Sequence, residues 1–201
     1  MTIQKGAAWG THGTAPADLL VADDEAALAR AVADGARHVA LRDGDLLPAL
    51  GLGDANPPRA GEPALLLPCD ALRVQLDDAP PLTAVSTVVV GGPLRPRLVA
   101  TSGGFVGRAN VAPRAHPNDG VLDVLVVSSG MPLRQWLAAR RRMRLGDHLP
   151  HPNLEMRRDA THDMSFDSAQ LVRIDCTKRG RARRVRIETL PDAFVLCVTP
   201  R

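Results

Sequence analysis

Aromatic residues are scarce in this sequence, which has no Tyr, two Trp and three Phe among its 201 residues. A site that holds bases or rings by aromatic stacking is therefore disfavoured. Apolar runs are also short, and none approaches the roughly 18 consecutive residues that a membrane-spanning helix needs. No apolar segment follows the charge in Met1–Gly6, so we expect no signal peptide. These absences indicate a cytoplasmic protein.

Cysteine is rare and unsuitably spaced for known metal or redox motifs. The sequence has three cysteines, Cys69, Cys176 and Cys197. No Cys-x-x-Cys pair is present, so neither a zinc knuckle nor a redox motif is indicated. His148, His151 and His162 have no Cys or acidic residue at a zinc-binding spacing. We therefore expect reduced thiols with structural roles.

The first 52 residues show the pattern of a small β-α-β unit, and the apolar fraction of 45% can supply its core. The predicted elements are a strand at Leu19–Ala22, a helix at Ala26–Asp34, a strand at His38–Leu41 and a short helix at Leu46–Leu50. Asp23–Glu25 offers an N-cap and an acidic first turn, and Gly35 suits the helix end. Gly51–Pro63, with three Gly and three Pro, is typical of a linker.

The chain after the linker is dominated by short β-type runs. Predicted strands are Ala64–Leu67, Leu72–Leu76, Leu82–Val90, Arg97–Ala100, Val121–Val127, Leu171–Asp175, Arg184–Thr189 and Ala193–Val198. One helix interrupts them, beginning at Pro132 and ending at Gly146. Its apolar face is predicted to contain Leu133, Trp136, Leu137 and Leu145. Many short strands with Gly and Pro turns favour a β-sandwich or a distorted barrel.

Charge is unevenly distributed along the chain. Residues 18–78 hold twelve acids and five arginines, a net charge of −7, whereas residues 134–186 hold fourteen bases and six acids, a net charge of +8. The basic residues cluster on the predicted helix and in a dense run that we assign to a hairpin turn. The candidate anion-binding residues are Arg140, Arg141, Arg144, Lys178, Arg179, Arg181 and Arg183. They could face phosphate, lipid headgroups or nucleic acid, although a solvated hairpin tip is the commoner outcome for such runs.

A series of motifs in the C-terminal half occurs in a recognisable order. Thr101–Arg108 is a glycine-rich strand, and Asn110–Asp123 contains an Asn-Asp-Gly turn that leads into the next strand. After the helix, Gly146–Pro152 reads Gly-Asp-His-Leu-Pro-His-Pro, and Val185–Leu196 is a strand followed by another after a proline. Together they closely resemble the second, β-rich domain of the diacylglycerol-kinase-type, YegS-like lipid kinases, over Leu98 to Pro200.

The resemblance implies a fold and a metal site. The expected fold class is α+β: a β-sandwich domain with one prominent helix at residues 53–201, preceded by a truncated α/β segment at residues 1–52. That segment would be the remnant of a nucleotide-binding domain. By resemblance to bacterial members, a structural Mg²⁺ would be held by Asp119 and by the backbone carbonyls of His116 and Val121, a donor set suited to a hard cation. Alternatively, Asp119 only shapes its turn.

Two departures from the family pattern argue against kinase activity. The family's Gly-Gly-Asp-Gly-Thr loop binds the phosphates of ATP through backbone N–H groups. Only Gly44 and Asp45 match it here, and leucines follow them. The family's Asp-Gly-Glu turn supplies a presumed catalytic base. This chain keeps Asp175 as the candidate catalytic residue, but Thr177 replaces the glutamate.

We therefore expect a lipid-kinase-like protein with impaired catalysis that serves as a lipid- or phosphate-binding or regulatory module at a membrane surface. The alternative enzyme is an active ATP-dependent lipid kinase with a rebuilt site, or one completed by a partner chain. A third alternative is a nucleic-acid-binding module that uses the basic hairpin, although no nucleic-acid fold signature accompanies it. The expected partners are anionic lipid or a membrane surface. The sequence leaves a homodimer open, since the strands of the N-terminal segment could pair with the sandwich or with another copy.

Overall fold

The computed structural model describes residues 9–52 and 56–200. Within these ranges the chain forms thirteen strands: β1 (Thr11–Thr14), β2 (Leu20–Ala22), β3 (His38–Leu41), β4 (Pro63–Leu76), β5 (Leu82–Ala84), β6 (Thr87–Gly92), β7 (Arg95–Thr101), β8 (Phe105–Val106), β9 (Ala109–Asn110), β10 (Leu122–Val127), β11 (Leu154–Asp159), β12 (Thr161–Ile174) and β13 (Thr177–Val198). The helices are α1 (Glu25–Ala33), α2 (Leu46–Ala49) and α3 (Leu133–Arg142), followed by a 3₁₀ turn at Met143–Leu145.

Most strands join one sheet that folds into a β-sandwich, as predicted. Its main path is β1-β4-β13-β12-β6-β7-β10-β11, and β8 pairs separately with β9. The pairings along this path are antiparallel, whereas β2–β3 and β3–β13 are parallel. The predicted α+β class with one prominent helix is therefore confirmed.

The longest strand, β13, is predicted from the sequence as separate strands. It pairs with β4 from Val185 to Val198, and the pairing shifts register between Leu190 and Phe194. Asp192 lies in this irregularity with a φ of 51°. A bulge of this kind lets a strand bend without ending, which local turn signals cannot distinguish from a true break.

The N-terminal segment is continuous with the sandwich. His38 and Val39 of β3 pair in parallel with Val195 and Leu196 of β13. The segment's strands therefore pair with the sandwich of the same chain, which the sequence left open. Helix α1 begins at its N-cap Asp24, whose carboxylate accepts a hydrogen bond of 2.7 Å from the Ala27 N–H. The predicted division at residue 52 stays a prediction.

Alternating side chains on the central strands serve two different cores. On β7, Leu98 and Ala100 face the interior of the sandwich, while Val99 faces the opposite side with Leu125 of β10. Helix α3 covers that opposite side through Trp136. Both faces of these strands are therefore buried, which explains why they are apolar at consecutive positions.

The predicted apolar face of helix α3 is wrong in detail. Trp136, Ala139 and Met143 are buried, whereas Leu133 and Leu137 are partly exposed and Leu145 is 87% exposed. The buried residues follow a spacing of three and four, which places them on one side of the helix. The predicted end is confirmed, since Gly146 adopts a left-handed conformation with a φ of 67°.

The sequence predicted that the basic run at residues 178–184 forms a hairpin turn. This prediction is wrong. The turn between β12 and β13 is Asp175–Cys176, and the basic run lies along β13 itself. Its arginines are exposed, while Ala182 between them is fully buried in the sandwich core. The buried alanine keeps this part of the chain in the sheet, so the charges are spread along a strand.

The sequence analysis did not predict β1 or β11. It also made statements about Met1–Gly6 and the linker residues 53–55, all of which lie outside the described residues. Within the described ranges, no helix has the length and hydrophobicity that crossing a bilayer requires.

Leu28→Ala should destabilise the whole chain if the N-terminal segment and the sandwich share one core. Leu28 is fully buried in the cluster that contains Phe194 and Leu196 of β13. We expect the free energy of unfolding to fall by about 2–5 kcal/mol in urea denaturation. Leu145→Ala, on an exposed leucine, should change it by less than about 0.5 kcal/mol. Separate transitions for the Trp9 and Trp136 fluorescence signals would contradict a shared core.

Candidate functional site

Three ionisable side chains from distant parts of the sequence meet between the N-terminal segment and the sandwich. They are Glu25 in the first turn of α1, Asp45 just before α2, and Cys176 in the turn between β12 and β13. One carboxylate oxygen of each acid and the Cys176 sulfur all lie within 4.8 Å of one another. The sequence analysis identified Asp45 but missed Glu25 and Cys176.

The Glu25 carboxyl group lies against Gly44 and Leu46, in the segment where the resemblance suggested a phosphate-binding loop. Its Oε1 accepts a hydrogen bond of 2.8 Å from the Leu46 N–H, and its side chain is buried. Gly44 packs so closely that a Cβ there would lie 2.5 Å from the Glu25 Cγ. Burial, followed by the charges of Asp175 and Asp45, raises the pKa of Glu25 to about 8. The Leu46 N–H therefore donates to the Glu25 carboxyl group, whereas in a phosphate-binding loop it would donate to phosphate.

Asp45 connects the N-terminal segment to the glycine-rich hairpin β8–β9. Its Oδ1 accepts a hydrogen bond of 2.6 Å from the Gly107 N–H, and the Cys176 thiol lies 3.9 Å from its Oδ2. The carboxyl group is buried, and that burial raises its pKa. The predicted cofactor-binding residues Gly44 and Asp45 thus lie together, in contact with other parts of the protein.

Asp175 organises the loop that connects β5 and β6. Its carboxylate accepts three hydrogen bonds of 2.9–3.0 Å from the N–H groups of Val85, Ser86 and Thr87. Burial raises the pKa of Asp175 to about 6, although these hydrogen bonds oppose the shift. This geometry is that of a structural carboxylate, and the catalytic role of Asp175 stays a prediction.

The turn that holds Asp175 and Cys176 matches the position of the family's Asp-Gly-Glu turn. Both residues have positive φ angles, 45° and 60°, as a two-residue type I′ hairpin turn requires. Thr177 follows as the first residue of β13, and its hydroxyl donates a hydrogen bond of 3.4 Å to the Asp175 carbonyl. A threonine hydroxyl cannot act as a base near neutral pH, so the position of the family's glutamate carries no basic group.

The predicted magnesium ligand Asp119 is engaged by protein groups. Its Oδ1 accepts a hydrogen bond of 3.2 Å from the Val121 N–H, and its Oδ2 forms an ion pair with Arg158. The Arg158 guanidinium is also 3.7 Å from Asp123. His116 lies nearby, its ring edge-on to Trp9 at a centroid distance of 4.5 Å. As placed, these residues do not fit a Mg²⁺ ion, because Arg158 supplies the positive charge at Asp119. The magnesium site stays a prediction.

A buried aspartate that the sequence analysis missed shapes the same turn. Asp70, on β4, accepts hydrogen bonds from the Gly120 N–H at 2.8 Å, the Asp192 N–H at 2.9 Å and the Asn118 side chain at 3.3 Å. Burial raises the pKa of Asp70 to about 6. A single acid inside the apolar strand Pro63–Leu76 was the available signal, because such a residue needs several partners.

A cavity of about 550 Å³ lies between helix α3, the β8–β9 hairpin and strands β6 and β7. Its apolar wall includes Val99, Val111, Trp136 and Met143, all buried. The indole N–H of Trp136 is buried and has no hydrogen-bond acceptor within the described residues. The Trp136 ring thus contributes to the apolar wall, while its N–H is enclosed by protein and not exposed to solvent.

Four arginines complete the lining of this cavity: Arg108, Arg140, Arg144 and Arg173. Within the described ranges, none of them forms an ion pair with a carboxylate. Lys178 is the cross-strand neighbour of Arg173. The cavity thus combines an apolar interior with uncompensated positive charge.

The structure brings together only part of the predicted anion-binding set. Arg140 and Arg144 line the cavity, whereas Arg141 is exposed on α3 outside it. Arg181 donates hydrogen bonds of 3.2 and 2.7 Å to the Ala169 carbonyl, and Arg183 is exposed along β13. Lys178 and Arg179 are exposed next to the β12–β13 turn.

Asp175→Asn should destabilise the protein. An amide has one oxygen, so its NH₂ group must face a backbone N–H in either orientation and leave that donor unsatisfied. We expect a loss of about 1–3 kcal/mol in urea denaturation at pH 7. The control is Asp167→Asn on the preceding strand β12, where the side chain is exposed. Equal stability of the two variants would show that the three hydrogen bonds do not hold the loop.

Known structures share this fold. Three solved structures from Bacillus anthracis str. Sterne match with 12% identity: a diacylglycerol kinase with a TM-score of 0.56, and two putative diacylglycerol kinases with TM-scores of 0.59 and 0.58. The matches cover 89–91% of this chain and 77% of each of those chains. A search of curated proteins found no significant match.

A family model also matches the sequence over residues 71–198. It describes the YegS C-terminal NAD kinase beta sandwich-like domain, and it covers the sandwich strands from β4 to β13 together with helix α3. The chain therefore belongs to the YegS-like, diacylglycerol-kinase-type family of lipid kinases.

Proposed function

We propose that this lipid-kinase-like protein has lost phosphoryl transfer and binds a phosphorylated, anionic lipid in the cavity beneath helix α3. The cavity itself carries the proposal, because apolar walls and unpaired arginines together suit a molecule with acyl chains and a phosphate headgroup. In this proposal the protein acts as a binding or regulatory module on the cytoplasmic surface of a membrane.

The composition of the cavity favours a lipid over a free anion. Val99, Val111 and Met143 offer hydrocarbon contacts that a phosphate ion would not use. Arg140 and Arg144 line the cavity, where they could bind the headgroup of the lipid. Each basic residue near an anionic bilayer contributes about 1 kcal/mol of attraction.

Impaired catalysis is supported by the groups around Asp45. The Leu46 N–H donates to Glu25 rather than to a ligand, and Leu46 and Leu47 are buried in the core where the family has small residues. Thr177 replaces the presumed base. A phosphate loop needs free backbone donors and close approach, and both are restricted here.

An active kinase with a rebuilt site is the second candidate, and Glu25 is the observation that favours it. Its pKa of about 8 is close to what a general base needs at neutral pH. Nucleic-acid binding has less support, because Arg181 is bound to the Ala169 carbonyl and Arg184 is paired with Asp163.

The protein should neither bind ATP nor transfer phosphate. We expect no saturable heat in a calorimetric titration with ATP and Mg²⁺, and no labelled product with diacylglycerol in mixed micelles. Turnover that Asp45→Asn abolishes, and that the nearby exposed control Asp43→Asn retains, would contradict the proposal and establish the rebuilt kinase. Turnover only with an added nucleotide-binding protein would point to a partner chain.

Removing the cavity arginines should weaken lipid binding. In co-sedimentation with phosphatidic acid vesicles, Arg140→Ala with Arg144→Ala should lose about 2 kcal/mol, roughly 30-fold in affinity. The control pair, Arg134→Ala with Arg141→Ala, removes the same charge from exposed positions on the same helix. Neither control residue lines the cavity, so only general attraction to the anionic surface is lost there, and affinity should fall clearly less than in the cavity pair.

Three outcomes of this experiment bear directly on the cavity. Equal losses in the two pairs would indicate general surface attraction and overturn the cavity as the site. Glycerol 3-phosphate is phosphatidic acid without its acyl chains. If it competes as strongly as phosphatidic acid, the ligand is a soluble phosphate compound and not a lipid. Equal binding to phosphatidylcholine vesicles, whose headgroup has no net charge, would exclude recognition of an anionic headgroup.

A further inference from the structure

The cluster of Glu25, Asp45 and Cys176 has no role in the proposed lipid site. Backbone N–H groups of Leu46 and Gly107 hold Glu25 Oε1 and Asp45 Oδ1, which fixes the orientation of both carboxyl groups. Both acids are buried, whereas the Cys176 side chain is exposed. The two carboxyl groups are therefore held in place by hydrogen bonds, whereas the Cys176 thiol is accessible to solvent.

The two carboxyl groups of this cluster have no ion-pair partner in the described part of the chain, since no arginine, lysine or histidine there pairs with Glu25 or Asp45. Two buried carboxyl groups without an ion-pair partner must hold a proton or a cation, because an isolated buried charge is costly. The Ser86 hydroxyl, 1% exposed, also lies beside Glu25, where it stabilises the ionised carboxylate and opposes the rise in the pKa of Glu25.

We propose that Glu25, Asp45 and Cys176 bind one divalent cation of the zinc type, with water completing its coordination. Two oxygens and one thiolate suit zinc, whereas Mg²⁺ prefers oxygen ligands alone. Zn–S and Zn–O bonds of about 2.3 and 2.1 Å at a tetrahedral angle place sulfur and oxygen about 3.6 Å apart. The Cys176 sulfur and Asp45 Oδ2 are 3.9 Å apart in the structure.

Binding would exchange protons for the metal. The Cys176 thiol, which here donates to Asp45, would lose its proton to solvent, as would Glu25 where it is protonated. The bound cation would link α1, α2 and the β12–β13 turn. It would also stabilise the position of Gly107, which both donates to Asp45 and lines the lipid cavity. The site goes beyond the proposed lipid binding and does not depend on it.

The test uses the full chain after treatment with a chelator and its removal. Titration with Co²⁺ should give one bound ion per chain and a sulfur-to-cobalt charge-transfer band in the near ultraviolet, and Zn²⁺ should displace the cobalt. Cys176→Ser and Asp45→Asn should each weaken Zn²⁺ binding at least about tenfold, since even outer-shell changes cost that much. Cys197→Ala, at a buried cysteine outside the cluster, should leave the affinity and the band unchanged.

Cys176→Gly keeps the test informative if the serine variant folds poorly. Glycine suits the φ of 60° at this position and lacks a thiol, so the variant should fold and lose the charge-transfer band. The proposal is overturned if no saturable binding occurs. It is equally overturned if Co²⁺ binds without the band, or if Cys176→Gly binds Zn²⁺ as tightly as the natural chain, because either result would indicate adventitious surface binding.

Discussion

Strand β13 is the element on which the rest of the structure depends. It pairs with β4 along one edge, with β12 along the other, and with β3 near its C-terminal end. Buried backbone N–H and C=O groups require partners, so these three neighbours must align with it. The alignment attaches the short N-terminal segment to the sandwich and brings Asp45 close to the turn that precedes β13. The candidate sites follow from this single arrangement.

Buried carboxyl groups hold the loops that the strands leave open. Asp175 accepts N–H groups from the β5–β6 connection, Asp70 from the Asp-Gly turn, and Glu25 from the start of α2. The pKa of each is raised by burial, and each is held by backbone donors. A backbone N–H that donates to an internal acid is unavailable to a phosphate ligand. In the N-terminal segment this applies to the Leu46 N–H, which donates to Glu25.

The unpaired arginines surround the cavity beneath α3, whereas Glu25 and Asp45 of the acidic cluster have no ion-pair partner in the described part of the chain. An anionic lipid and a divalent cation would therefore bind at neighbouring sites, the first lined by arginines and the second by carboxyl groups and a thiol. Gly107 belongs to both, because its N–H holds Asp45 while its backbone lines the cavity. A conformational change at the β8–β9 hairpin would affect both sites together.

The sequence alone determined the family, the β-rich C-terminal half and several element boundaries, because local signals act over a few residues. His38–Leu41 and the start of α2 at Leu46 match the structure, and the glycine at 146 ends its helix as expected. The buried face of α3 was predicted only in part. Leu133 and Leu137 have helical spacing, but the sheet contacts Trp136, Ala139 and Met143 instead. Which apolar stripe is buried depends on the surface that the helix meets.

Only the tertiary structure decided the sites. Glu25, Asp45 and Cys176 are far apart in sequence, and no spacing rule relates them; the pairing of β3 with β13 brings them within 4.8 Å. The cavity likewise depends on the packing of α3 against β6 and β7, which joins Arg140 with Arg108 and Arg173. Local propensity sets where strands and helices form, whereas long-range pairing and burial determine which side chains meet and which charges remain unpaired.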